Sequence, residues 1–317
     1  MKGIGIDAER KPLVEVRNLV TRFDLKGGVL GRSSGRVHAV ENVSLDIFPG
    51  ETLALVGESG CGKSTVARSI MQLDRPVSGS VRFDGSEMIG ASRKTMARFR
   101  REAQMIFQDP FSSLNPRMTI AQALMDPMKV HRMGSSKQLL ARAAELLAKV
   151  ELSAEYLDRY PHAFSGGQRQ RICIARALAL DPKLIIADEA VASLDVTIQA
   201  QVINLLMDLQ REFHLTLLFI SHDMAVVERI AHRVAVMYLG EIVEVGDRRS
   251  VFNNPQHPYT RKLLSTVPIA DPTQRSEFRE PMVDEIPSAV RPLDFVPVEL
   301  PMIKVSPTHS VRQSIAY

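Results

Sequence analysis

Apolar and polar positions alternate in part with a period of two over residues 13–24 (LVEVRNLVTRFD) and again over 37–48, which predicts two half-exposed strands. Between them, 27–35 holds four glycines and two serines and reads as a loop. Pro49-Gly50 then turns the chain into 52–56 (TLALV), an apolar run that reads as a buried strand. Helical spacing follows over 64–73 and stops before Pro76. Residues 80–85 read as strand and turn, and 105–107 as a short strand ended by Gln108-Asp109-Pro110. From Ile120 to about Tyr160 the pattern is helical throughout, with Leu139, Leu140, Ala143, Leu146, Leu147 and Val150 at helical intervals. Strand and helix alternate again afterwards: helix 168–180, apolar strand 183–187, helix 196–213, buried strand 215–220, a short helix, and a hairpin of 233–238 and 241–245 around Leu239-Gly240. From Pro268 onward the chain is proline-rich and weakly periodic, and reads as an appended tail rather than core. The pattern as a whole is an α/β core with a small antiparallel layer before it and an all-helical insertion within it.

Composition narrows the class only a little. A chain of 317 residues suits two domains, or one domain with an appendage, and its 45% hydrophobic and 24% charged content is that of a protein with a core. The net charge of +4 is mildly basic, while aromatics at 5% and the lack of tryptophan leave few side chains on which bases could stack, so no nucleic acid partner is expected. The basic run at 92–101 (SRKTMARFRR) reads as a solvated helix face. Two cysteines, Cys61 and Cys173, cannot build a disulfide framework or a four-cysteine metal site. Apolar runs fall short of the roughly 18 residues of a membrane helix, and MKGIGIDAERKP lacks the apolar centre of a signal peptide. A cytoplasmic protein that only a partner could hold at a membrane is the expectation.

Chemistry concentrates at 57–65, where Gly57, Glu58, Ser59, Gly60, Cys61, Gly62, Lys63, Ser64 and Thr65 fit G-x-x-x-x-G-K-[ST] between a predicted strand and a predicted helix. Glycines at 57, 60 and 62 let the backbone curl so that N–H groups converge on phosphate oxygens, and the helix start adds its free amides. Lys63 can reach the outer phosphates and the Ser64 hydroxyl can ligate magnesium, so a nucleoside triphosphate with Mg2+ is expected. Asp188 directly follows the apolar strand, at the edge where open α/β sheets bind ligands, and Glu189 offers a second carboxylate to orient an attacking water. A further anion-receptive helix start lies at Ser165-Gly166-Gly167-Gln168. Two such elements with one loop lysine suggest that they serve different nucleotides, which implies a dimer.

In this order the motifs resemble those of the nucleotide-binding subunit of ABC transporters, over roughly 13–267. GESGCGKST looks like the Walker A motif, Gln108 in IFQDP the Q-loop, FSGGQRQR the family signature, and LIIADE at 184–189 Walker B with the catalytic glutamate. Ser193-Leu194-Asp195 looks like the D-loop and Ser221-His222 the switch histidine. The resemblance implies a P-loop NTPase (ABC ATPase) core with an antiparallel β subdomain, a helical subdomain inserted at about 109–165, and a separate tail at 268–317. It assigns catalysis to Glu189, His222 and Gln108, magnesium to Ser64, Gln108 and Asp188, and adenine stacking to Phe23, with His38 as second choice. It implies a head-to-tail dimer with a second such subunit, whose Ser165, Gly166, Gly167, Gln168 and Asp195 would close the site. It places the chain peripherally on the cytoplasmic side of a bacterial or archaeal membrane, docked on two integral-membrane permease subunits and served indirectly by a solute-binding protein.

The run NPQHPYTRKLL at 254–264 is similar to one typical of the oligopeptide/dipeptide importer subfamily, which makes dipeptides or oligopeptides the expected cargo, with nickel, glutathione or another small solute as the alternative. Asp284–Ser288 (DEIPS) resembles the start of a cysteine-containing tail stretch in that subfamily, but the cysteines are missing, so no iron–sulfur cluster is expected. A soluble ABC ATPase acting on DNA or ribosomes is the reading from a different class; the single cassette, without heptads or metal cysteines, speaks against it.

Overall fold

A computed structural model describes residues 11–26, 33–265, 289–298 and 300–313. Strands β1 (Val14–Lys26) and β2 (Ser33–Ile47) pair antiparallel along most of their length. β2 therefore begins inside the glycine-rich stretch expected to be loop, where Leu25 pairs with Gly35 and Asp24 with Arg36; residues 27–32 of that stretch lie outside the described residues. Then come β3 (Thr52–Val56), α1 (Lys63–Ile70), β4 (Ser78–Phe83), β5 (Ser86–Glu87), α2 (Arg93–Glu102), β6 (Ala103–Ile106) and α3 (Pro110–Ser113). The helical stretch consists of α4 (Ile120–Val130) and α5 (Ser136–Lys149), and stops short of Tyr160. Glu151 takes a left-handed conformation (φ 58°), and two short 3-10 turns, Ala154–Tyr156 and Pro161–Ala163, carry the chain on. The core resumes with α6 (Gly166–Leu178), β7 (Leu184–Asp188), α7 (Val196–Phe213), β8 (Thr216–Ser221), α8 (Met224–Ile230), β9 (Arg233–Tyr238), β10 (Glu241–Asp247), α9 (Arg248–Asn253) and α10 (Pro258–Ser265). Three short strands end the chain: β11 (Val290–Arg291), β12 (Met302–Ser306) and β13 (His309–Arg312).

Among the described residues, the main sheet runs β12-β13-β10-β9-β3-β8-β7-β6 and the smaller one β11-β2-β1-β4-β5. β6, β7, β8, β3 and β9 are parallel, and β3, β7 and β8 are buried along their whole length, as expected of parallel strands covered on both faces. The two-residue alternation decides what covers each face. Ile185, Ala187, Leu217 and Phe219 pack with α4, α5, α6 and α7, whereas Leu53, Leu55, Ile186, Leu218 and Ile220 pack with α1 and the small sheet. Because the strands are parallel, the residues leaving β3, β6, β7 and β8 emerge at one edge, which is where an open α/β sheet can hold a ligand.

The final part of the chain departs from the expectation of an appendage. β12 and β13 form a hairpin that extends the main sheet from β10, and β11 adds to the small sheet beside β2. Polar contacts dock this hairpin: buried His309 lies 2.7 Å from Glu244, and Arg312 donates to the Ile242 carbonyl. Apolar periodicity could not have announced it, since β12 is exposed over most of its residues. Residues 268–288, including the Asp284–Ser288 stretch, lie outside the described residues.

Candidate functional site

The loop after β3 curls over the start of α1. Gly62, the residue before α1, has φ 110°, and a Cβ there would stand 2.0 Å from the Ala39 carbonyl oxygen. Gly57 has φ 154°, and a Cβ there would stand 2.2 Å from the Met237 carbonyl oxygen. Both positions exclude a side chain because β2 and β9 press on the loop from outside. Buried Lys63 turns its ammonium back onto the loop, donating to the Gly57 and Glu58 carbonyls at 2.8 Å each, with Glu189 Oε1 at 3.9 Å. Burial pushes the Cys61 thiol up, which keeps it a neutral filler beneath the loop.

Asp188 ends β7 and accepts a 2.8 Å hydrogen bond from the Ser64 hydroxyl. Desolvation, and then the neighbouring Glu189 charge, push its carboxyl above the ordinary carboxylate range, with the Ser64 bond opposing. Glu189 takes φ 46°, a left-handed conformation costing a non-glycine residue roughly 1–2 kcal/mol. Its amide donates to the Ile220 carbonyl of β8 and its own carbonyl receives the Ala192 amide, so the backbone on both sides holds the turn. The carboxylate is then placed between two side chains from other strand ends. Gln108 Nε2 donates to Oε2 at 2.7 Å, and His222 Nδ1 lies 3.4 Å from Oε1. Thus Lys63, Ser64, Gln108, Asp188, Glu189 and His222, spread over more than a hundred residues of sequence, converge on one place.

The other expected residues fall elsewhere. Ser165 caps α6 through a reciprocal box: Gln168 N–H donates to Ser165 Oγ, and Ser165 N–H donates to Gln168 Oε1. Gly166 and Gly167 form the first turn of that helix instead of a loop before it, and a Cβ on Gly167 would come within 2.5 Å of Ile198 on α7. Among the described residues, no hydrogen bond or ion pair joins 165–168 to 57–65. Asp195 caps α7, accepting from Ile198 N–H at 2.9 Å. Phe23, on β1, is 41% exposed, whereas His38 is buried, 2.7 Å from Glu41 and edge-on to Phe295, so only Phe23 offers a ring face to a ligand.

Sequence reasoning passed over several supports. Asp223 accepts from the Ala225 and Val226 amides and so fixes the start of α8 right behind His222. Arg176 of α6 donates to the Ser113 carbonyl, and Arg169 stacks on Phe111, tying the segment after Gln108 to the helix after Ser165. Tyr259 Oη accepts the Glu58 amide from across the molecule. An Asp at the residue directly before a helix could have flagged the first of these; nothing local signals the other two.

Residues 40–192 match the ABC transporter family, and 243–291 match the C-terminal region of oligopeptide/dipeptide transporters. The chain is 54% identical over 306 residues to the glutathione import ATP-binding protein GsiA of Pectobacterium atrosepticum, and 54% identical over 308 residues to that of Escherichia coli K12. These alignments cover 96% and 97% of the chain but 49% of each relative, so the chain spans about half the length of the curated relatives it matches. Among solved structures it resembles cbiO1 of Clostridium perfringens, part of the ABC transporter complex cbiONQ, with TM-score 0.66 and 27% identity over 77% of this chain and 91% of that one. It also resembles the dimeric bacterial ABC transporter cassette MJ0796, with TM-score 0.65 and 30% identity over 74% of this chain and 99% of that one. With the phosphate loop, the paired carboxylates and the sheet in these places, the chain belongs to the ATP-binding cassettes of ABC transporters, which bind and hydrolyse ATP.

Proposed function

We propose that this cassette energises the import of small peptides or peptide-like solutes across a membrane, and that glutathione, itself a tripeptide, is the cargo to test first. The observation that carries the reading is the joining, in one chain, of an ATPase site to a 243–291 region of oligopeptide/dipeptide transporter type. The name of the relatives favours glutathione over the dipeptides expected from the tail motif alone. Among the described residues no helix is long and apolar enough to cross a membrane, so in this reading the chain works peripherally, on the cytoplasmic side, against two integral-membrane permease subunits fed by a solute-binding protein.

In the proposed mechanism residues 13–267 form the ATPase domain, the helices within 109–165 its inserted subdomain, and 268–317 a C-terminal segment whose described strands pair with both sheets of that domain. The loop amides of 57–65 and Lys63 hold the triphosphate, and Phe23 stacks on adenine. Magnesium would fit the donors present: a buried Asp188 carboxylate whose desolvation a cation would offset, the Ser64 hydroxyl and the Gln108 side-chain oxygen, and it would supply charge neutralisation for the phosphates. Glu189 orients the attacking water and takes up its proton, while His222 and Gln108 hold that carboxylate in register. Gln108 also leads into α3, so a change at Glu189 passes to the helical segment through Arg176 and Arg169. Ser165–Gln168 and Asp195 close the site of a second subunit in a head-to-tail dimer. That fits the polar cap of α6, which has no partner of its own in the loop.

The test is recovery and transport. The chain is expected to co-purify with integral-membrane proteins and, reconstituted with them in vesicles, to drive ATP-dependent uptake of labelled glutathione in preference to dipeptides or nickel. Uptake of dipeptides or nickel without glutathione would reassign the cargo. Recovery with ribosomes or DNA and never with membrane proteins would overturn the importer reading.

A further inference from the structure

The peptide unit joining Gly57 to Glu58 carries two contacts at once. Its carbonyl oxygen receives the Lys63 ammonium at 2.8 Å, and its N–H donates to Tyr259 Oη at 3.0 Å. The orientation of this one peptide plane therefore sets both where the lysine rests and how the leading arm of the phosphate loop lies. Tyr259 sits at the start of α10, inside the 254–264 motif, and its buried ring packs on Tyr238 with centroids 4.2 Å apart. Burial pushes its hydroxyl pKa up, so the group stays a neutral acceptor.

The tyrosine is itself held from behind. Its amide donates to His257 Nδ1 at 3.2 Å, and the His257 and Gln256 amides donate to the two oxygens of Glu244 at 2.9 and 2.8 Å. Glu244 is fully buried on β10, and His309 of the C-terminal hairpin lies 2.7 Å from it. The neighbouring hairpin turn braces the same loop, since Gly240 N–H donates to the Cys61 carbonyl and the Met237 carbonyl presses on Gly57. The 254–264 motif thus ends in a contact with the phosphate loop, about two hundred residues away in sequence, and the terminal hairpin is the far anchor of that contact.

We infer that Tyr259 is a positioning residue for ATP binding, holding the Gly57–Glu58 peptide in the orientation from which Lys63 and the loop amides engage the phosphates, with Glu244 and His309 as its anchor. The inference rests on ATP binding by this cassette and is independent of the cargo. Removing the hydroxyl leaves the half-buried Glu58 N–H without this partner and frees the peptide plane to rotate. Both ATP and ADP should suffer, because both place phosphates in the loop.

The test uses the full chain and its Tyr259→Phe variant, with binding of a fluorescent ATP analogue and its displacement by ATP and ADP. We expect affinity for both nucleotides to fall about tenfold. KM for ATP should rise by more than kcat falls, with the unfolding temperature within a few degrees of the parent. Nucleotide affinity equal to the parent would overturn the assignment, as would a loss that appears only alongside a matching drop in unfolding temperature. Should Tyr259→Phe fail to fold, His309→Ala carries the test. It should weaken ATP binding about twofold to threefold and His309→Gln, which can still donate to Glu244, should restore it; parent-like affinity in His309→Ala would then overturn the assignment.

Discussion

Two glycine-rich helix starts in this molecule look alike in sequence and are built in opposite ways. The start of α1 is shaped from outside: Ala39 and Met237 carbonyls press on Gly62 and Gly57, and Lys63, Glu58 and Cys61 bond to the loop or to β9–β10 and α10. The start of α6 is held chiefly from inside, by the Ser165–Gln168 box, and only the Ile198 side chain of α7 crowds its Gly167 from outside. The first is a preorganised receptor whose polar groups converge inward with a buried lysine and a carboxylate pair close by. The second is a cap in which Ser165 and Gln168 bond each other, and among the described residues no hydrogen bond or ion pair joins it to the phosphate loop. In the proposed dimer the first of these would hold its own chain's nucleotide within long-range walls, and the second would offer a rigid helix end to the nucleotide of a second subunit.

The sharpest way to break this contrast is at the converged carboxylate. Glu189→Gln should lower the ATP turnover rate about 100- to 10,000-fold. ATP binding should persist, and size-exclusion chromatography in ATP should show accumulated dimer; parent-like turnover would mean that another group orients the water. Next in size, Lys63→Ala removes the buried ammonium over the loop, and we expect turnover to fall about 100- to 1,000-fold, with weakened ATP binding in a titration of the single chain. Unchanged binding there would erase the distinction between the two helix starts. On the other side, Ser165→Ala should cost about 1 kcal/mol of stability through the lost cap, read as a lower denaturation midpoint. It should weaken ATP-driven dimer formation while leaving ATP binding to the single chain's own loop intact.

The smallest expected effect concerns pH. Burial pushes the pKa of His38, His232 and His257 down; His232 Nδ1 accepts the Thr52 amide at the amino end of β3, the strand that leads into the loop, and His257 Nδ1 accepts the Tyr259 amide. A histidine whose folded pKa is depressed binds protons more readily in the unfolded state, so stability falls as pH drops below the ordinary histidine value of about 6.5. Hydrogen exchange compared between neutral and mildly acidic pH should therefore show β3 and α10 loosening before α6. Equal protection changes at both helix starts would remove the asymmetry.

Most of the chemistry was legible in the chain, and the reason is local. The phosphate loop, the Asp188-Glu189 pair and the Ser221-His222 pair each follow an apolar strand, and parallel strands deliver their carboxyl ends to one edge. The helical insertion was legible from its 3.6-residue spacing, although its end was placed too late because 3-10 turns carry no such signal. The tail was misread as an appendage for a comparable reason. β12 and β13 are short and polar, and dock through His309 and Arg312 instead of an apolar face.

The sequence by itself determined the alternation of strands and helices through β10 and nominated the candidate reacting groups, because both depend on residue type at short spacing. Only the tertiary structure decided that Gln108 bonds Glu189, that Phe23 and not His38 shows an open ring, and that Tyr259 grips the phosphate loop. These contacts join residues up to 201 positions apart, and no local propensity records which distant carbonyl, carboxylate or hydroxyl packing will bring within 3 Å of an amide.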